Sequence, residues 1–129
     1  MNTVSNEWLC DALRASARGS FGSEAAIELL LDHRTWLRRN DFLDQLIEYA
    51  AGDADDTITH AWIAWEHVPA FLTQAHCSGS EGRILRLAAE LTGVDTAVPL
   101  VELLAQLDDT NSGLVLDAIA HVLTRGGRR

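Results

Sequence analysis

Apolar positions recur along most of this chain at the three-to-four-residue spacing of amphipathic helices, and that pattern predicts the architecture. Leu9, Ala12 and Leu13 share one face of a first helix over about residues 6–18, opened by Ser5 or Asn6 and stopped by Gly19. Ser23 opens a second, with Ile27, Leu30 and Leu31 facing inward and a bent continuation through Trp36 and Leu37. Asn40 or Asp41 caps a third, in which Leu43, Leu46, Ile47 and Ala50 fill the i, i+3, i+4, i+7 template before Gly52. Further on, Ser78 or Ser80 caps a helix carrying Ile84, Leu87, Ala88 and Leu91, closed by Gly93. Pro99 starts another with Leu100, Leu103, Leu104 and Leu107 in register. After a turn at Asp108, Asp109 and Thr110, a last helix is lined by Val115, Ala118, Ile119 and Val122.

The stretch DTITHAWIAWEHVPAFLTQAH carries two conflicting signals. Ile58, Ala61, Trp62 and Trp65 fit a helix, but Thr57, Ile58, Thr59, Trp62 and Ile63 are strand formers, and Pro69 disfavours one helix running through. The expectation is an extended piece at 58–64, then a helix from Glu66 to Ala75 with Pro69 in its first turn. The connector Val94 to Val98 is the candidate partner strand. The fold class expected is therefore all-α: a compact, mostly helical bundle of five to seven helices with a helix-turn-helix-like C-terminal half and one short strand pair. Residues 1–129 read as a single domain, with the acidic loop at 52–57 as the seam between sub-halves 1–52 and 57–129.

Composition narrows the function classes. The chain has 129 residues, 19 acidic against 10 basic, for a net charge of −9, with an acidic knot at Asp53, Asp55 and Asp56. Such a field repels phosphate backbones. Every basic residue is arginine, so chemistry that requires lysine, such as a P-loop or a Schiff base, is excluded. The apolar runs are too short to span a bilayer, and MNTVSNEWLCDALR has neither the basic nor the apolar region of a secretory signal, so a cytoplasmic location is expected. Cys10 and Cys77 read as reduced thiols.

Several constellations compete for a role. Residues 83–91, 99–107 and 112–123 have the order of a three-helix DNA-binding core. A recognition helix needs basic or amide side chains at its exposed start, and this one offers Asp108, Asp109, Thr110, Asn111 and Ser112. Arg125, Arg128 and Arg129 form a basic patch only at its far end, so nucleic-acid binding through them is the alternative and not the preferred reading. His60, His67, His76 and Cys77 fall within 18 residues but match no structural-zinc spacing, and GDADDT lacks the glycine and glutamate of a calcium loop. No metal site and no cofactor is expected. Cys77 beside His76 lacks a third member, and Ser78-Gly79-Ser80-Glu81-Gly82 lacks the first glycine of a nucleophile elbow, so no catalytic residue is assigned. Trp62 and Trp65, with Trp36 next to Arg38 and Arg39, are the candidate protein-interaction residues, since tryptophan and arginine are enriched at binding hot spots. Four tryptophans in so small a domain are also good core material, and burial is the favoured reading.

The segments ELLLDHRTWLRRNDFLDQLIE, AWIAW, CSGSEGRILRLAAELTG and VPLVELLAQLDDTNSGLVLDAIAHVL together resemble a group of small uncharacterised proteins of actinobacteria and their mobile elements. The likeness covers residues 28–123; the group's second tryptophan segment reads AWIDW, where this chain has Ala64 at the acidic position. The resemblance implies no reaction, cofactor or catalytic residue. The expected function is a non-enzymatic, acidic protein-interaction or accessory module, with a protein partner of open identity, a homodimer among the candidates, and no membrane. A helix-turn-helix regulator, an acidic nucleic-acid mimic and a small enzyme with a His/Cys site are the alternatives.

Overall fold

The computed structural model describes residues 6–52 and 57–126. Ser5, the acidic positions Asp53, Asp55 and Asp56, and Gly127, Arg128 and Arg129 lie outside the described residues. Among the described residues the helices are α1 (Asn6–Ala17), α2 (Phe21–His33), α3 (Asn40–Leu46), α4 (Val68–Leu72), α5 (Gly79–Leu91), α6 (Leu100–Leu104) and α7 (Asp109–Leu123). Two strands, β1 (Ile47–Ala51) and β2 (Ile58–Ile63), and 3-10 turns at Trp36–Arg38 and Trp65–His67 are the other elements of the described residues. The mostly helical bundle with one short strand pair is the architecture that the periodicity predicts.

The middle of the molecule is α2. Its AAIELLL run is apolar nearly all round, and Ala25, Ala26, Ile27, Leu29 and Leu30 are all buried as α1, α5 and α7 pack on different sides of it. Close approach at one end depends on Gly22, where a Cβ would overlap the Leu91 carbonyl at the end of α5. The helix does not continue, bent, through Trp36. Arg34 adopts the left-handed conformation (φ 73°) and donates its N–H to the Leu30 carbonyl, which closes α2 and reverses the chain. The following 3-10 turn drops Trp36 into the core, where its ring lies 5.9 Å from Phe42 and 5.7 Å from Phe71, the latter edge-on.

The strand expected near 58–64 is present as β2, but its partner is not 94–98. It pairs antiparallel with β1, in a register that sets Ile47 opposite Ile63, Glu48 opposite Trp62 and Tyr49 opposite Ala61. The third helix correspondingly ends at Leu46 and passes directly into β1 instead of reaching Ala50. Ile47-Glu48-Tyr49 satisfies a period of two as well as it satisfies the helical one, and β2 needs a backbone partner. Closing a hairpin across a short connection costs less entropy than reaching a segment some thirty residues on. Ile63 and Ala61 face inward, and β2 packs on α1. Residues 94–98 instead form an irregular turn, in which the Glu90 carboxylate accepts from both the backbone N–H and the hydroxyl of Thr96 at 2.8 Å.

Of two capped starts, α5 begins where the sequence predicts and α7 begins earlier. Ser78 caps α5 through a reciprocal box: its hydroxyl accepts from the Glu81 N–H at 3.1 Å and its own N–H donates to the Glu81 carboxylate at 2.9 Å. Asp108 caps α7 by accepting from the Asn111 N–H at 2.8 Å, so this helix begins at Asp109, three residues before the expected Ser112. The buried residues form one cluster that draws on both sides of the acidic loop, from Leu9 to Ala118.

Candidate interaction surface

The tryptophan and arginine residues that the sequence singles out do not form one surface. Trp36 is 0% exposed, and its indole N–H donates to the Glu81 carbonyl at 2.9 Å, so it is a core residue. The Arg39 guanidinium stacks 4.7 Å from the Trp36 ring centroid and forks onto Asp41, at 3.0 Å and 2.6 Å. Its remaining nitrogen donates to the His76 carbonyl at 2.8 Å. The Arg39 guanidinium holds the Asp41 carboxyl below its ordinary range, helped by the Phe42 N–H. These contacts fasten the start of α3 to the segment before α5. They are structural: Trp36 is enclosed in the core, and Arg39, which keeps part of its side chain in solvent, engages Trp36, Asp41 and the His76 carbonyl. Arg38 is exposed, and Trp65 is half-buried against the core. Trp62 stands on the outer face of the hairpin, 37% exposed, with its indole N–H held by Glu48 at 2.8 Å.

The side chains capable of chemistry are dispersed. No group of three His, Cys, Asp or Glu among the described residues converges to hold a metal ion. Burial pushes both the Cys10 and Cys77 thiols up, away from the thiolate that a nucleophile requires. His60 and His76 are exposed, and the His60 ring lies 2.7 Å from the Thr59 hydroxyl. His67 lines an open depression of about 420 Å³ with Gln45, Leu46, Ala70, Phe71 and Gln74, which holds no second acid or base. His121 binds Glu24 at 2.8 Å, and the other Glu24 oxygen accepts from the Gly19 N–H at 2.8 Å, which ties α7 to the first turn of α2. A wider cleft of about 630 Å³ lies between the start of α5, the segment before it and α6. Arg83 and Arg86 line it, but they are engaged with the Gln106 side chain at 3.0 Å and the Thr96 carbonyl at 3.4 Å, and Glu102 lines the same cleft.

What the fold leaves conspicuously uncovered is apolar. The inner face of α7 packs through Val115 and Ala118, while its outer face carries Leu116, 66% exposed, and Leu123, 75% exposed. Gly113 and Ala120, also exposed, lie between and before them on the same side of the helix. On α6 only Leu103 is buried; Leu100 and Val101 are 59% and 70% exposed, which corrects the expectation that Leu100 and Leu104 both point inward. Five residues make too short a helix to turn four apolar positions onto one face, and α6 rests on α5 alone among its well-packed neighbours. The signal for the α7 surface is present in the sequence: Leu116, Ala120 and Leu123 make a second apolar row, on the side opposite Val115 and Ala118. Compared with protein-family models, curated proteins and solved structures, the chain matches none of them.

Proposed function

We propose that the protein is a non-enzymatic protein-interaction or accessory module, acting in the cytoplasm, whose contact surface is the outer face of α7. The observation that carries this reading is the pair Leu116 and Leu123, two thirds or more exposed, on one side of a well-packed helix. Leu116, Ala120 and Leu123 are contiguous on that side, and a contiguous exposed apolar strip is the kind of surface that marks a contact site. The dispersal of the histidines, thiols and carboxylates supports the non-enzymatic part. No helix among the described residues is long and apolar enough to cross a membrane.

The same face speaks against DNA reading. Between Asp109 and Leu123 there is no arginine or lysine, Asn111 is buried, and Arg125 follows the end of the helix. The exposed positions Asp109, Leu116, Asp117, Ala120 and Leu123 offer no cation to phosphate or base edges, and Thr110 adds only a hydroxyl. The proposed kinship with small actinobacterial proteins adds no chemistry to this reading.

The test is capture with the full-length tagged chain from a native lysate, after nuclease treatment, comparing the wild type with Leu116→Glu, Leu123→Glu and Trp62→Ala. A protein retained by the wild type and by Trp62→Ala, and lost with either leucine variant, supports the reading. Retention that survives both leucine variants, or that disappears with nuclease, overturns it.

A further inference from the structure

We infer that the outer face of α7 is covered by α7 of a second copy of this chain, packed antiparallel about a two-fold axis at the height of Ala118. The inference rests on the interaction reading and names its partner. In such a pair, each position a given number of residues before Ala118 lies opposite the position the same number after it on the other copy. Gly113, five before, then meets Leu123, five after; Leu116, two before, meets Ala120, two after. Each exposed leucine therefore faces an exposed small residue, and the two surfaces interlock at the close spacing that helix packing needs. A row of leucines alone would be sticky without being self-complementary. The alternation of large and small about one point is what fits it to its own copy.

Charge repeats the pattern. The start of α7 carries Asp108 and Asp109, and Arg125 follows its end. Antiparallel packing brings the acidic start of each helix to the basic end of the other, with Asp109 within about 3 Å along the axis of the level of Arg125. A parallel pair would set acid against acid and base against base. Asp117, exposed and one residue before Ala118, stands at the edge of the face and comes near its own copy across the axis, a like-charge contact that weakens the pair. One helix pair is a small interface, below the roughly 1,200 Å² at which standard-size complexes begin, and both copies carry −9, so the dimer is weak and is seen at physiological salt and high concentration.

Sedimentation equilibrium of the full chain over a hundredfold dilution, at physiological ionic strength, tests this. The expected result is a reversible doubling of mass. Leu116→Glu or Leu123→Glu, at positions already in water, is expected to raise the dissociation constant about a hundredfold with the helical circular dichroism unchanged, since the two-fold repeats each substitution. Asp109→Arg and Arg125→Asp singly are each expected to weaken association about tenfold, and together in one chain to restore it. A monomer at every concentration, a dimer indifferent to Leu116→Glu, or charge variants whose combination does not recover overturns the inference. A monomeric chain that still loses a different captured protein on Leu116→Glu overturns it too, and leaves the interaction reading standing.

Discussion

Replacing Trp36 separates a core residue from a binding residue. Its ring is fully buried between Phe42, Phe71 and the Arg39 guanidinium, and its N–H reaches the Glu81 carbonyl at 2.9 Å. Trp36→Ala removes the ring from a site bounded by three packed elements, so the cost expected is about 3–5 kcal/mol. Trp36→Phe keeps most of the apolar contact and loses the hydrogen bond, about 1 kcal/mol, plus a similar cavity term, for about 2 kcal/mol in all. The Glu81 carbonyl lies in the first turn of α5 and keeps its helical donor, so no orphaned acceptor adds to this. Against a total stability of roughly 5–15 kcal/mol, the alanine variant is severely weakened and the phenylalanine variant folds normally. Trp62→Ala, on the solvent face of the hairpin, loses one cross-strand pair and is expected to cost no more than about 1 kcal/mol. Guanidinium titrations read these differences as midpoint shifts at constant m. A Trp36→Ala chain within about 1 kcal/mol of the wild type, or costs for Trp36 and Trp62 that coincide, would refute the assignment of Trp36 to the core.

Three further outcomes follow from the packing and the charges. Gly22→Ala, a favourable change in an unconstrained helix, is expected to lower stability by about 1–2 kcal/mol because the new methyl meets the Leu91 carbonyl; a stabilised variant in thermal melts would show that α2 and α5 are not so close. The Gly19 N–H and then His121 hold the Glu24 carboxyl below its ordinary value near 4.5, so stability from this group is complete above that value and lost as pH falls through the lower folded one; Glu24→Gln should flatten the acid limb of the stability profile. Burial lowers His33, whose Nδ1 is enclosed without a partner among the described residues. The unfolded chain takes up its proton near 6.5 while the folded chain resists, so stability falls as pH drops through that value, and His33→Gln should remove that slope in urea titrations across pH 5–7.

The helices were legible where one face alone is apolar. Leu9, Ala12 and Leu13 on α1, and Ile84, Leu87 and Ala88 on α5, are buried as their spacing requires, and Ser78 caps as its side chain dictates. The reading failed where two periods coexist. Ile47 and Tyr49 suit a strand as well as a helix, and only the presence of β2, a tertiary fact, decides between them. It also failed where an apolar residue has two destinations. Trp36 and Trp62 carry the same side chain, yet one is enclosed because Arg34 reverses the chain ahead of it, and the other is left outside by the hairpin register. Leu116 and Leu123 were visible as a second row on α7, but a helical wheel does not say which of two apolar rows the neighbouring α2 will cover.

The central claim is that two copies of the chain meet through the outer face of α7 and not through the tryptophan hairpin. Amide chemical shifts of the uniformly ¹⁵N-labelled full chain, recorded across a dilution series at physiological salt, address it residue by residue. Concentration-dependent shifts confined to Asp109 through Arg125, centred on Leu116 and Ala120, are the expected result. Shifts centred on Glu48 and Trp62, or none anywhere in α7, would contradict the claim.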